Sequence, residues 1–326
     1  MSVNNKPFTV TKEESGIRLD KFISFHTENL SFVSIQKLLR TRQIRINGKR
    51  ALGSKRIEVG NLIRIPYNYR NLKKPKFYTY NELDEDYKVF INNGILYKDN
   101  EIIAVNKPSG FAVQGGSRIN NHIDRILDYF RFESPYRPQL LHRLDKDTSG
   151  VLLLSRKPDT TRRLSEAFKN RKIKKLYWAF VIGYMPKASG SINAPLGTVS
   201  SKNYEKTIYD INGKESKTVY NVLWKGIFNK IKISLVEFSP ETGRKHQIRA
   251  HCNYLDCSIM GDYKYVKDYS RNLKYLDIFP QNMQLHAREI SVPDSEGLSI
   301  RIKASIPNHM LKVFDILKLS EDKIGS

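Results

Sequence analysis

The run His142-Arg143-Leu144-Asp145-Lys146-Asp147-Thr148-Ser149-Gly150 holds the side chains best suited to chemistry. Asp145 stands between an arginine and a Thr-Ser-Gly turn, just ahead of the apolar stretch Val151-Leu152-Leu153-Leu154. A carboxylate on a turn that feeds a buried strand is held rigidly at a sheet end, where it can act as a base or a nucleophile. Two other arrangements invite a metal reading and fail it. His246, His251, Cys252 and Cys257 match no common zinc spacing, and two histidines five residues apart share a helix face badly. Asp145-Lys146-Asp147 has no further acidic motif or phosphate loop behind it, and Gly115-Gly116 lacks the Gly-Lys-Ser/Thr that would complete a nucleotide cradle. No metal is expected.

The elements that must carry Asp145 read as strands with few helices. Gly94 to Tyr97 and Ile102 to Asn106 form two short strands around a Lys98-Asp99-Asn100 turn. Pro158 opens a helix through about Arg171, and Leu176 to Ile182 is an aromatic, β-branched strand. Val219 to Trp224 and Lys230 to Phe238 alternate as further strands. A helix is expected from Arg244 to Tyr254 and another over Asn308 to Leu317. The fold class is α+β, with a mixed, mostly antiparallel sheet flanked by helices over residues 92–326. Residues 15–66 read as a small αα-β unit. Ile17, Leu19, Phe22 and Ile23 stripe a first helix, while Ser31 caps a second whose Ile35, Leu38 and Leu39 face inward and whose Lys37 and Arg40 face outward. Ile44-Arg45-Ile46, the Asn47-Gly48 turn and residues 57–65 supply its strands. Residues 67–91, mixed in charge and interrupted by Pro75, read as a linker.

Charge identifies the partner. The chain carries 56 Lys and Arg against 33 acids, a net +23, which favours a polyanion through phosphate contacts and counterion release. Residues 1–76 hold 17 basic and 5 acidic residues, so about half of the net charge lies in under a quarter of the chain. That points to a dedicated nucleic-acid-binding module. With 40% hydrophobic residues a packed core is expected, and the absence of a membrane-length apolar run or a secretory leader predicts a soluble, cytoplasmic protein without membrane partners. Two cysteines argue against a disulfide scaffold. A monomer is the default.

Four motifs in order, Asn106-Lys107-Pro108-Ser109-Gly110, the HRLDxxTSG run, Lys175-Leu176-Tyr177-Trp178-Ala179-Phe180-Val181-Ile182-Gly183, and Thr242-Gly243-Arg244-Lys245-His246-Gln247-Ile248-Arg249-Ala250-His251 trailed by Gly261-Asp262, resemble those of the RluA-type pseudouridine synthases. The likeness spans about residues 15–305. "RINGKR", "IRIP" and Gly115-Gly116-Ser117 narrow it to synthases of bacterial large-subunit rRNA. The N-terminal unit resembles the RNA-binding domain first described in small-subunit ribosomal protein S-four, with Phe32-Val33 where a basic residue is common. The resemblance implies Asp145 as catalytic carboxylate, Tyr177 against an extruded uracil, and Arg249 or Arg244 as partner of Asp145. It further implies Arg143 filling the vacated stack, assisted by His142, and Lys37, Arg40 and Arg45 gripping RNA. No cofactor is implied. The alternative, a non-catalytic RNA-binding ribosome-assembly protein, would be favoured if Asp145, Tyr177 or both arginines were missing, and all are present.

Overall fold

The computed structural model describes residues 6–326 apart from 12–13, 28–29, 31, 67–68, 70–82, 116–121, 135, 202–203, 266–277, 295, 321–323 and 325–326. Ser31, Gly116, Ser117 and most of the expected linker therefore lie outside the described residues. The N-terminal unit contains β1 (Phe8–Thr9), α1 (Leu19–Phe25), α2 (Phe32–Arg40), β2 (Arg45–Ile46) and β3 (Leu62–Arg64), with strand order β1-β3-β2. Every apolar position expected to face inward on its two helices is buried, together with Ile44, Ile57, Ile63 and Ile65. Residues 57–65 are not one strand. Gly60 adopts φ 80, and the Asn61 side chain accepts the Glu58 N–H at 3.0 Å, so a turn consumes the first half.

The expected linker ends too late. Residues 85–91 belong to α3 (Glu85–Asn93), which buries Tyr87 and Phe90 against Phe111 and Phe130, with ring centroids 4.4 and 5.8 Å apart. An acidic start masked this helix in the sequence, although acids suit a helix N-terminus.

The larger unit continues through β4 (Ile95–Lys98), β5 (Ile102–Lys107), α4 (Ile123–Ile126), β6 (Gln139–Leu140), β7 (Ser149–Ser155), α5 (Pro158–Lys169) and β8 (Lys174–Ile182). It goes on with β9 (Ser189–Asn193), β10 (Leu196–Ser201), β11 (Tyr204–Tyr209), β12 (Lys217–Phe228), β13 (Ile231–Pro240), α6 (Gln247–Tyr254), β14 (Leu285–Pro293), β15 (Ser299–Lys303) and α7 (Asn308–Ile316). Ten strands form one sheet in the order β4-β5-β7-β14-β8-β13-β12-β9, with β15 on β14 and β6 on β7; β10 and β11 make a separate hairpin. Only β7 and β14 run parallel among the described strand pairs, so the sheet is mixed and mostly antiparallel as expected.

Helices cover both faces of this sheet, which is why β7 reads as an unbroken apolar run rather than an alternating one. Ala179 and Val181 of β8 pack with Ile248 of α6, whereas Trp178 and Phe180 pack with Met310 and Phe314 of α7. On β7, Leu152 and Leu154 face α3 and α4, while Val151 and Leu153 face α5. Tyr177 shares the α6 face and touches both clusters on it. No described helix is long and apolar enough to cross a membrane.

Candidate active site

Register brings the motifs together. Gly150 of β7 lies opposite Ala287 of β14, Ala287 opposite Tyr177 of β8, and Tyr177 opposite Phe238 of β13. One transverse row thus joins the strand after Asp145, the strand of Tyr177 and the strand leading to the arginine-rich turn. Gly150 has φ 110, and a Cβ there would overlap the Ala287 backbone. The glycine permits the parallel strand to approach so closely.

The loop carrying Asp145 is tied from behind by Lys107, whose side chain is fully buried. Its Nζ donates to the carbonyls of Pro108, Phe111 and Lys146 at 2.9, 2.8 and 2.8 Å. Burial pushes its pKa down to about 7, against the opposing charges of Asp147 and Asp145. Gly110 N–H also donates to the Lys146 carbonyl at 3.0 Å, and Ser109 Oγ to the Asp147 carbonyl at 2.8 Å. Two segments distant in sequence are therefore stitched into one rigid turn.

Arg249, on α6, reaches this turn. Its Nη1 donates to Asp145 Oδ2 at 3.0 Å, while Nε and Nη2 grip both oxygens of Asp262 at 2.7 and 2.8 Å. Burial works against the charge on Arg249, but Asp262 and then Asp145 outweigh it and hold the pKa above its ordinary value. Asp262 itself is 2% exposed and also receives Lys264 N–H at 3.2 Å. Such a fork, charged at both ends, fixes the guanidinium plane and through it the carboxylate.

Arg244 does not make this pair. Its Nε donates to the Glu215 carbonyl at 3.1 Å, and the side chain stays exposed on the cavity rim. The helix expected from Arg244 starts at Gln247, because His246 takes a left-handed φ of 52. Gln247 organises that start. Its Oε1 accepts from Thr242 Oγ1 and Arg244 N–H at 2.6 and 3.1 Å, and its Nε2 donates to the Lys217 carbonyl and Thr218 Oγ1 at 2.9 Å each.

The other expected site residues divide between cavity and scaffold. Tyr177 lines the cavity, and its hydroxyl makes no hydrogen bond among the described residues. Burial, then the Asp145 charge, pushes its pKa up, which keeps it a neutral phenol. Arg143 is exposed at the rim, with Nη1 3.4 Å from Gln114 Oε1. His142 also lines the cavity, but its Nε2 accepts the Leu153 N–H at 3.0 Å and its ring packs 5.3 Å from that of Phe168. Burial, with Lys175 second, pushes its pKa down to about 3. That ring is committed to holding the loop. Lys37, Arg40 and Arg45 are all exposed on the N-terminal unit.

Sequence reasoning passed over Lys107, His246, Asp262 and Tyr265 as site residues. Asp262 had a signal in the Gly261-Asp262 that trails the arginine motif; the others depend on long-range contacts. His251 is spent structurally, with Nδ1 2.9 Å from Thr218 Oγ1 and Nε2 3.1 Å from the Ala194 carbonyl. Cys257 Sγ donates to the Tyr184 carbonyl.

Asp145, Tyr177, His246 and Arg249 together face a cavity of about 1140 Å³ whose walls also carry Lys175, Arg171, Lys245 and Lys264. Small-ligand pockets span roughly 300–1,000 Å³, so this one has room for an extruded nucleotide and part of its neighbours. A carboxylate with an oriented arginine inside a cationic cleft suits chemistry at the sugar of a phosphate-bearing substrate.

Comparison with known proteins gives concordant matches. The family model described as RNA pseudouridylate synthase matches residues 101–254. A ribosomal large subunit pseudouridine synthase C from Buchnera aphidicola subsp. Baizongia pistaciae is 37% identical over 294 residues, covering 86% of this chain and 87% of the relative. The protein of that name from Rickettsia typhi is 34% identical over 295 residues, covering 89% and 94%. Among solved structures, human RNA pseudouridylate synthase domain containing 4 superposes with a TM-score of 0.58 at 27% identity, over 71% of this chain and 95% of that one.

Proposed function

The chain belongs to the RNA pseudouridylate synthase family, and we propose on that footing that it isomerises specific uridines of large-subunit rRNA to pseudouridine, with Asp145 as the catalytic carboxylate. The reaction breaks the N1–C1′ bond, turns the freed uracil, and joins C5 to C1′. The proton on C5 leaves and N1 gains one, so atoms and electrons balance without a redox or group-transfer cofactor. Asp145 serves either by attacking C1′ or by accepting the C2′ proton. Both routes need a carboxylate aimed at the sugar, and Arg249, clamped by Asp262, supplies that aim.

A stacked uridine must first be extruded, at an unstacking cost of roughly a few kcal/mol. Arg143, exposed beside Asp145 at the cavity rim, is positioned to occupy the gap left behind. Tyr177 gives the flipped base an apolar wall on the sheet side and keeps water away from C1′. The N-terminal unit acts as the RNA grip of the S-four type, with Lys37, Arg40 and Arg45 as exposed phosphate contacts.

The observation that carries this reading is the Asp145–Arg249 pair, 3.0 Å across, inside a cavity walled by basic side chains. The test is carbodiimide-adduct primer extension on large-subunit rRNA treated with wild-type protein or Asp145→Asn. New stops with wild type alone, at equal RNA affinity of the two proteins, are expected. Substantial product from Asp145→Asn would sink the assignment, and stops on small-subunit rRNA or tRNA alone would move the substrate.

A further inference from the structure

The two oxygens of Asp145 have different neighbours. Oδ2 is hydrogen-bonded by Arg249, whereas Oδ1 faces His246 Nε2 at 3.7 Å. His246 sits just ahead of α6 with φ 52, a conformation histidine visits more readily than most residues. Its other ring nitrogen, Nδ1, is 2.9 Å from the Tyr265 hydroxyl. That hydroxyl already accepts the backbone N–H of Thr207, on β11, at 3.1 Å.

A phenol has one proton to give. With the Thr207 N–H occupying its oxygen, Tyr265 satisfies the network by donating to Nδ1, and a neutral imidazole then carries its own proton on Nε2. The opposite tautomer fails twice. An Nδ1–H would bring a second donor to the hydroxyl and leave the phenolic proton only Thr207 Oγ1 nearby, an oxygen that makes no hydrogen bond among the described residues. A bare Nε2 would also face the carboxylate, lone pair against lone pair.

We infer that Thr207 and Tyr265 lock His246 as the Nε2–H tautomer, making it a positioning residue that presents a neutral donor to Oδ1 of Asp145. The role in turnover rests on the function proposed above; the tautomer lock does not. At 3.7 Å the contact is longer than a hydrogen bond, so Oδ1 stays available to substrate and the donor steers rather than captures it. The ring remains neutral near pH 7. Burial is the largest influence and brings its pKa down to about 4; Asp145 opposes this, while Arg249, Lys264 and Lys245 add to it. The lock also links the β10–β11 hairpin to the site, since Lys245 pairs with Glu205 on that hairpin at 2.6 Å.

The test is long-range proton–nitrogen correlation on protein labelled with ¹⁵N-histidine, the His246 signals being assigned by their loss in His246→Gln. A protonated Nε2 and a bare Nδ1 at pH 7 are expected, with Tyr265→Phe shifting the ring toward a mixture of tautomers. An Nδ1–H form or an imidazolium in the wild type overturns the inference whether or not the enzyme is active. Single-turnover rates on rRNA form the second arm. His246→Ala should lose about 3- to 10-fold in rate with KM within about twofold, as expected for a donor held beyond hydrogen-bond distance of a charged group. His246→Gln, whose amide nitrogen can stand where Nε2 stood, should recover to within about twofold of wild type. Equal losses in both variants, or none in His246→Ala, overturn the donor role. Wild-type protein that forms no product overturns the positioning role and leaves the tautomer lock standing.

Discussion

Replacing Asp262 by asparagine tests whether the site works through the aim of Arg249. The pair is almost wholly desolvated, with side-chain exposures of 7% for Arg249 and 1% for Asp262, and both carboxylate oxygens are taken by the guanidinium. Asparagine keeps the shape, but turns one acceptor into a donor against Nε or Nη2 and leaves Arg249 with Asp145 as its only carboxylate. Breaking a buried ion pair costs about 3–5 kcal/mol. Because Asp145 still offers charge at 3.0 Å, the lower end, near 3 kcal/mol, is expected. For a domain of this size that corresponds to a fall of roughly 6–12 °C in melting temperature. The freed guanidinium no longer fixes the Asp145 plane, so single-turnover rate should drop about 10- to 100-fold, the weight of one hydrogen bond to a charged group. RNA affinity should stay within about twofold, since Asp262 is not exposed. Melting curves and single-turnover primer extension on the same preparations decide it. A variant that melts within 1–2 °C of wild type (a range of order 1 kcal/mol or less) and turns over normally would refute the claim that Asp262 organises the site.

Three further outcomes are expected. Gly150→Ala places a Cβ into the Ala287 backbone at a φ of 110, so it should destabilise by about 3 kcal/mol or more in urea titration; an unchanged midpoint would contradict the close β7–β14 approach. Burial holds His142 and His286 down to about 3, and His246 and His309 to about 4. An unfolded histidine titrates near 6.5, so the unfolded chain binds more protons between these values, and stability present above pH 6.5 is lost as pH falls toward 4. Unfolding free energies from urea titration at pH 7.5, 6.5 and 5.5 should decline by up to about 1.4 kcal/mol per pH unit for each histidine, and a flat profile would refute the burial. Lys37→Ala with Arg40→Ala should weaken rRNA binding and reduce the slope of log affinity against log salt by about 1–2, whereas an unchanged slope would show that this helix face does not meet phosphate.

What could be read in the sequence, and what could not, follows the range of the interactions. The inward positions of α1 and α2 and the buried strand behind Asp145 are local patterns, and each is buried as expected. The place of Asp145 at the head of a buried strand was legible because its turn and its strand are contiguous, whereas its role is what the family resemblance implies. The choice between Arg244 and Arg249 was not, since it depends on where α6 begins. That start is set by Gln247 reaching Lys217 and Thr218, some thirty residues away, and by the left-handed turn at His246. Lys107 read as the edge of a turn because nothing nearby says that a lysine will be buried. Its burial is tolerable only where three carbonyls converge, and one of them comes from Lys146, beside Asp145. Nothing in the arginine motif points to Tyr265 or Thr207, although the Tyr265 hydroxyl meets both His246 Nδ1 and the Thr207 N–H. The residues that carry charge into the cavity are thus written locally. Those that fix their direction are written elsewhere in the chain, and only the register of β7, β14, β8 and β13 makes the two sets neighbours.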